Sequence, residues 1–193
     1  MERNEILELL KRTRSTRRFD ESVKVPEESL RRWIGALRYT PSARNTQPLK
    51  YKIVTDPDEL NSVYPLLRWA GYLKDWNGPA EGERPTALVI QLVDTDIATS
   101  ARFDEGIQLE AFLMQASAED WSCCVIQAFE AAKLVTELSI PERFSPLSVI
   151  AVGKGTEQFV VEDLIADGSV RYWRTQDDVH HVPKRLAEDL IVP

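Results

Sequence analysis

Only two cysteines occur in 193 residues, and they are neighbours, so the chain has no disulfide framework to build on. A bridge between Cys123 and Cys124 would strain the peptide that joins them. Adjacent thiols without further ligands at suitable spacing do not make a metal site either. Two buried, reduced thiols on a strand are expected. The only histidines, His180 and His181, are also adjacent. On an extended strand they face opposite ways, which argues against a shared metal and makes them structural or surface groups. Long hydrophobic runs are absent too. The longest strongly apolar stretch, from Ala87 to Val93, is far too short to cross a bilayer. The charged start, Met1 to Glu5, is not a secretion signal, so the expected location is cytoplasmic, with no membrane partner. No repeat, low-complexity tract or glycine-rich dinucleotide fingerprint is present. The formal net charge of -7 argues against nucleic acid as a default partner, because phosphate binding needs a basic face.

What is present is an ordinary globular composition, 43% hydrophobic and 28% charged, enough for one domain with a real core over residues 1–193. A first helix is predicted from Asn4 to Thr13, with Ile6, Leu7, Leu9 and Leu10 on its apolar side. A second starts at Pro26 with Glu27 and Glu28 in its first turn. It carries Leu30, Trp33, Ile34 and Leu37 at helical spacing and ends near Tyr39, before Pro41. Lys50 to Thr55 reads as a strand, and Asp56-Pro57 caps a helix reaching about Leu67. Gly71 to Pro85 is a loop long enough to act as a lid. Thr86 to Val93 is a buried strand and Arg102 to Ala118 a long helix, with Ile107, Ala111, Leu113 and Met114 as core positions. That helix is either central or buried in a subunit contact. Short segments follow: strand Cys123 to Ile126, helix Ala131 to Leu138 and strand Leu147 to Val152, with Gly153-Lys154-Gly155 as a closing turn. The C-terminal part, about 156–193, reads as an arm with exposed strands at Phe159 to Val161 and Val170 to Trp173. Helices and strands mix without strict alternation, which predicts an α+β fold.

Two segments carry the chemistry. Lys11 to Arg18 packs five cations into eight positions. Such a run is often just solvated; it could also hold a small anion or, as a third reading, nucleic acid. Pro41-Ser42-Ala43-Arg44-Asn45-Thr46-Gln47-Pro48 concentrates small hydrogen-bonding side chains between two prolines. A cationic cluster with an amide-rich loop suits a ligand with a phosphate at one end and a ring of donors and acceptors at the other. Flavin mononucleotide (FMN) fits that description.

Taken in order, these segments resemble the FMN-dependent nitroreductase family, in particular a short-chain subgroup. The resemblance is carried by Arg14-Ser15-x-Arg17, Pro41-Ser42-x-x-Asn45-x-Gln47-Pro48, Trp69 to Trp76, Cys124 to Phe129, Leu147 to Gly153 and His180 to Arg185. It covers nearly the whole chain. It implies a mixed or antiparallel sheet flanked by helices, and an intertwined homodimer with FMN sites shared at the interface, the C-terminal arm reaching the partner subunit. It also implies a ping-pong reaction in which NAD(P)H is the electron donor and a nitroaromatic or quinone-like small molecule the acceptor.

Residue by residue, the resemblance gives Arg14, Ser15, Lys184 and Arg185 to the phosphate, and Arg17 to the pyrimidine edge. A fixed cation at that edge favours the reduced ring. Arg18 should be a surface residue, since neighbours on an extended segment point apart. Ser42, Ala43, Asn45 and Gln47 go to the ribityl chain and ring, although Ser42 and Asn45 could equally cap local turns. Val125, Gln127 and Ala128 match positions whose backbone amides lie near flavin N5 and O4. No residue is required as a general acid or base, and no metal is implied. The chain departs from the family where glycines are usual, carrying Asp120, Trp121, Ser122 and Gln127 instead. Bulk there would narrow the pocket, and motivates an alternative: a flavin-binding, redox-sensing module without efficient turnover.

Overall fold

The computed structural model describes residues 3–165 and 168–192. Five α-helices and eight strands follow in the order α1 (Arg3–Arg12), β1 (Phe19–Asp20), α2 (Glu27–Ala36), β2 (Leu49–Val54), α3 (Pro57–Val63), β3 (Ala87–Asp94), α4 (Arg102–Ala118), β4 (Ser122–Ile126), α5 (Ala131–Glu137), β5 (Phe144–Gly155), β6 (Gln158–Asp163), β7 (Trp173–Arg174) and β8 (Val179–Lys184). The α+β expectation holds. The main sheet is antiparallel: β5 lies between β3 and β4, β2 lies outside β3, and β1 pairs with the end of β5. β6, β8 and β7 form a second, small sheet in the arm, with β6 and β8 parallel. Residues 166, 167 and 193 of the arm lie outside the described residues.

The apolar run of β3 is explained by its two covered faces. Leu88, Ile90 and Leu92 join Val149, Ala151 and Cys124 in a cluster completed by Leu60 and Val63 of α3 and Leu134 of α5. Ala87 and Val89 turn the other way, with Ile150, Val152 and Cys123, onto Leu30 and Trp33 of α2 and Leu109 and Phe112 of α4. A strand buried on both faces needs apolar side chains at every position. The same alternation sends the adjacent cysteines into different halves of the core, both buried and unbridged. Burial raises both thiols, that of Cys124 to about 11, so neither is a ready nucleophile.

Three expectations need correction. Gly153-Lys154-Gly155 continues β5 instead of turning, and pairs with Phe19 and Asp20. The glycines serve close packing: a Cβ on Gly153 would come within 2.8 Å of the Phe19 ring, and one on Gly155 would strike Ser122. In α4 the buried face is Asp104, Gln108, Leu109, Phe112, Ala116 and Ser117, so Ile107 is exposed and Ala111, Leu113 and Met114 are half-buried. Polar groups can occupy that face because they are partnered, Gln108 accepting from the Tyr51 hydroxyl at 2.6 Å and donating to Thr40 Oγ1 at 3.0 Å. The third concerns α1, whose Ile6, Leu7 and Leu10 stay largely exposed in the single chain.

The predicted lid, Gly71 to Pro85, contains no helix or strand. It ties the arm down. Tyr72 meets Tyr172 at 5.0 Å between ring centroids, and the Arg174 guanidinium lies over Trp76 at 4.4 Å. Its far end pairs with β1, Phe19 N–H donating to the Glu83 carbonyl at 3.0 Å.

Candidate functional site

α1 ends where Thr13 to Arg17 runs extended along the outer edge of β4. Thr16 N–H donates to the Cys123 carbonyl at 2.9 Å, in a parallel bridge centred on Ser15 and Cys123. Arg14 caps the helix it follows, donating from Nε to the Thr13 carbonyl and from a terminal nitrogen to the Leu10 carbonyl, both at 2.7 Å. A cation there also suits the negative end of the helix dipole. Over this segment fold β6 and β8 of the arm, enclosing a cavity of about 330 Å³. Its lining brings together Arg14, Ser15, Arg17 and Lys184, one cation coming from the far end of the chain. Glu110 and Leu113 of α4 close one side, and Phe159, Tyr172, His180 and Val182 of the arm close the other.

Behind the cavity lies a buried carboxylate. Glu157, immediately before β6, accepts from the Arg17 backbone N–H and from the Arg174 guanidinium, with both side chains of the ion pair almost wholly buried. The Arg17 side chain donates to the Ser15 carbonyl at 3.1 Å and lies over the Tyr172 ring at 4.9 Å. Its neighbour Arg18 points away, as alternation requires, but is not a solvated surface group. It is one-fifth exposed and pairs with Asp178 at 2.9 Å and Glu83 at 3.5 Å, tying loop to arm.

His180 was read as structural or surface, and the structure places it in the cavity wall. It is 1% exposed, sandwiched between Phe159 and Tyr172, with Nδ1 lacking a hydrogen-bond partner and 3.8 Å from Glu157. Burial first, then the nearby Arg17, Arg174 and His181, lowers its pKa to about 4, so the imidazole is neutral. His181 faces the opposite way, stacked on Trp173 and bonded to Glu162. The signal for His180 was available: in β8, His180, Val182 and Lys184 alternate onto one face, so a site at Lys184 implicates all three. Arg185 is exposed and does not line the cavity.

Along β4 the same edge continues past Ser15. Cys123 presents its carbonyl outward to Thr16, so strand alternation turns the Val125 amide to that side as well, about 7 Å further along. Gln127 follows, exposed, its side chain donating to Glu105 of α4 at 2.9 Å. The Ala128 carbonyl accepts from the Arg68 N–H at 2.9 Å. Asp120, Trp121 and Ser122 line a neighbouring cavity with Arg12, Arg14 and Lys154, which shares Thr13, Arg14 and Leu113 with the first.

The Pro41 to Pro48 loop does not line the Arg14 cavity in the single chain; Gln47 borders a different hollow with Tyr51 and Gln108. Ser42 and Ala43 are engaged by Asp104, through the serine hydroxyl and the Ala43 N–H. Gln47 Nε2 donates to Asn45 Oδ1 at 3.0 Å, leaving Asn45 Nδ2 and Gln47 Oε1 without partners. Among the described residues no cluster of metal-ligating groups occurs, and no helix is long and apolar enough to cross a membrane.

Three cationic side chains and a serine hydroxyl around one cavity, against a single facing carboxylate, suit a phosphate dianion. The aromatic wall and the outward Val125 amide suit a polar ring system. Fold and site together define an α+β protein with a cationic, aromatic-walled cavity. Residues 10–77 match the model of the nitroreductase family. Among solved structures, a nitroreductase family protein from Streptococcus pneumoniae superposes with a TM-score of 0.70 at 18% identity, covering 97% of this chain and 98% of that one. An FMN-dependent nitroreductase from Clostridium difficile gives 0.64 at 19% identity, covering 79% and 88%. A candidate NADH dehydrogenase/NAD(P)H nitroreductase from Parabacteroides distasonis gives 0.66 at 22%, covering 80% and 89%. Among curated protein sequences none matches significantly. The family model thus matches the chain over residues 10–77, and the solved structures share its fold.

Proposed function

We propose that the chain is an FMN-dependent oxidoreductase that carries electrons from NAD(P)H to a small acceptor, a nitroaromatic or quinone-like compound, and that it works as a homodimer in the cytoplasm. The observation that carries the reading is the convergence of Arg14, Ser15, Arg17 and Lys184 on one cavity from opposite ends of the chain. When bound, FMN supplies the redox chemistry, taking two electrons from the nicotinamide and handing them to the acceptor in turn. The protein's own groups bind and orient. Arg14, Ser15 and Lys184 hold the phosphate, and Arg17, braced against Tyr172, sets positive charge for the pyrimidine edge of the ring, where it favours the reduced form. The Val125 amide lies on the free edge of β4, where it can donate to a ring without any particular side chain. Asn45 and Gln47 bring unpartnered amide atoms on a loop that a second copy of the chain would have to supply.

The test is the visible spectrum of the purified protein after incubation with FMN and removal of excess. A retained flavin band that bleaches quickly on anaerobic addition of NADH or NADPH is expected. A colourless protein overturns the reading. A yellow protein that neither nicotinamide bleaches would instead be a flavin-binding sensor.

A further inference from the structure

We infer that Asp104 is a positioning residue, whose buried carboxylate holds the Pro41 to Pro48 loop in the shape from which Asn45 and Gln47 present their free amide atoms. What the loop presents them to rests on the flavin reading above.

The loop holds an unfavourable conformation with little packing to sustain it. Arg44, Asn45 and Gln47 all sit in the left-handed region, with φ of 54°, 57° and 50°, and none is glycine. Each such residue costs on the order of 1 kcal/mol or more. Residues 43–47 are all exposed, so burial contributes little. The opposing force comes from the first turn of α4. Asp104 is only 2% exposed, and its two oxygens accept from the Ser42 hydroxyl and, at 3.0 Å, from the Ala43 N–H. Ser42 Oγ in turn accepts from the Gln47 N–H at 2.9 Å. A chain of two bonds therefore runs from the carboxylate, through the serine, to the far end of the loop, closing it across the strained residues, while the Ala43 N–H binds the carboxylate directly. The adjacent Glu105 holds the Gln127 side chain, so consecutive carboxylates fix the two amide-bearing segments. From Asp104 to Leu113 at the cavity is about 14 Å along the same helix. Asp104 acts through the loop.

Limited trypsin digestion of the full-length apo protein, following cleavage after Arg44 by mass spectrometry, reads the loop without any flavin. Cleavage in native conditions tracks the population of the opened segment. Asp104→Ala and Ser42→Ala should each raise cleavage after Arg44 about tenfold. Asp104→Asn should recover most of the protection, since its amide can still accept from Ala43 and donate to Ser42. Cleavage after Arg143, in the turn before β5, should not change. FMN titration of the same variants should show about tenfold weaker binding for Asp104→Ala, largely restored in Asp104→Asn. Should Asp104→Ala fail to fold, Ser42→Ala carries both measurements. Unchanged cleavage after Arg44, an equal rise after Arg143, or faster Arg44 cleavage with FMN affinity intact would each overturn the inference. Wild-type protein that takes up no FMN yet shows the Arg44 pattern would sink the flavin reading while leaving the loop's anchor in place.

Discussion

His180 and His181 share a side chain and a strand, and their surroundings separate them. His180, facing Glu157, Arg17, Arg174, Phe159 and Tyr172, is held neutral with a pKa of about 4. An unfolded histidine titrates near 6.5. Between those values the unfolded chain binds a proton that the folded chain refuses, so stability is present above about pH 6.5 and is lost as pH falls toward 4. The midpoint of thermal unfolding should therefore drop steadily through that window, and His180→Gln should flatten the slope. An unaltered slope in the variant would refute the assignment. At the cationic cavity the sequence was legible because charge is visible in it. Arg14, Ser15, Arg17 and Lys184 were all named, and all line one cavity. Arg185 was not separable from Lys184 by charge alone; only the end of β8 distinguishes them. Lys184→Ala should weaken FMN binding about tenfold, and Arg185→Ala markedly less, in parallel titrations. Equal losses would place both cations on the ligand.

Among the elements, the arm is anchored by a buried ion pair. Glu157 and Arg174 are both nearly inaccessible, and Glu157 also receives the Arg17 N–H. Removing one partner of such a pair strands the other charge, at a cost of about 3 kcal/mol or more. Glu157→Ala should therefore loosen β6 to β8 from the Arg14 segment, visible as faster amide hydrogen exchange in residues 158–184. Unchanged exchange in those strands would show that the Tyr72 and Trp76 contacts suffice. Periodicity disclosed most helices and strands of the main body, since burial on one or two faces imprints a period on the sequence. It did not disclose which face of α4 the sheet takes. Ile107 and Met114 on one side compete with Leu109 and Phe112 on the other, and only the partnered Gln108 and Asp104 decide it. The glycines of β5 misled for a related reason: the close approach of Phe19 and Ser122 that demands them is a tertiary fact.

For the whole molecule, two features of the single chain point the same way. Apolar side chains that would normally be covered are open: Ile6, Leu7 and Leu10 on α1, and Phe103 and Ile107 at the start of α4, with Phe103 82% exposed. The loop bearing Asn45 and Gln47 also lies outside the cavity lined by Arg14, Ser15, Arg17 and Lys184. Large exposed apolar patches mark interaction surfaces. A second copy docked on α1 and α4 would cover the patch and could bring its loop to the cavity. The resemblance implies a homodimer with shared sites, but sequence order says nothing about which copy supplies which residue. Light scattering should give twice the 22.0 kDa of the chain. Phe103→Asp changes an exposed side chain beside, but not within, the carboxylate pair of α4. It should yield folded monomers, each retaining the Arg14 cavity yet binding FMN at least tenfold more weakly as the second loop is lost. A wild-type monomer, or a Phe103→Asp monomer with undiminished FMN affinity, would mean that one chain builds the site alone and that the exposed faces serve something else.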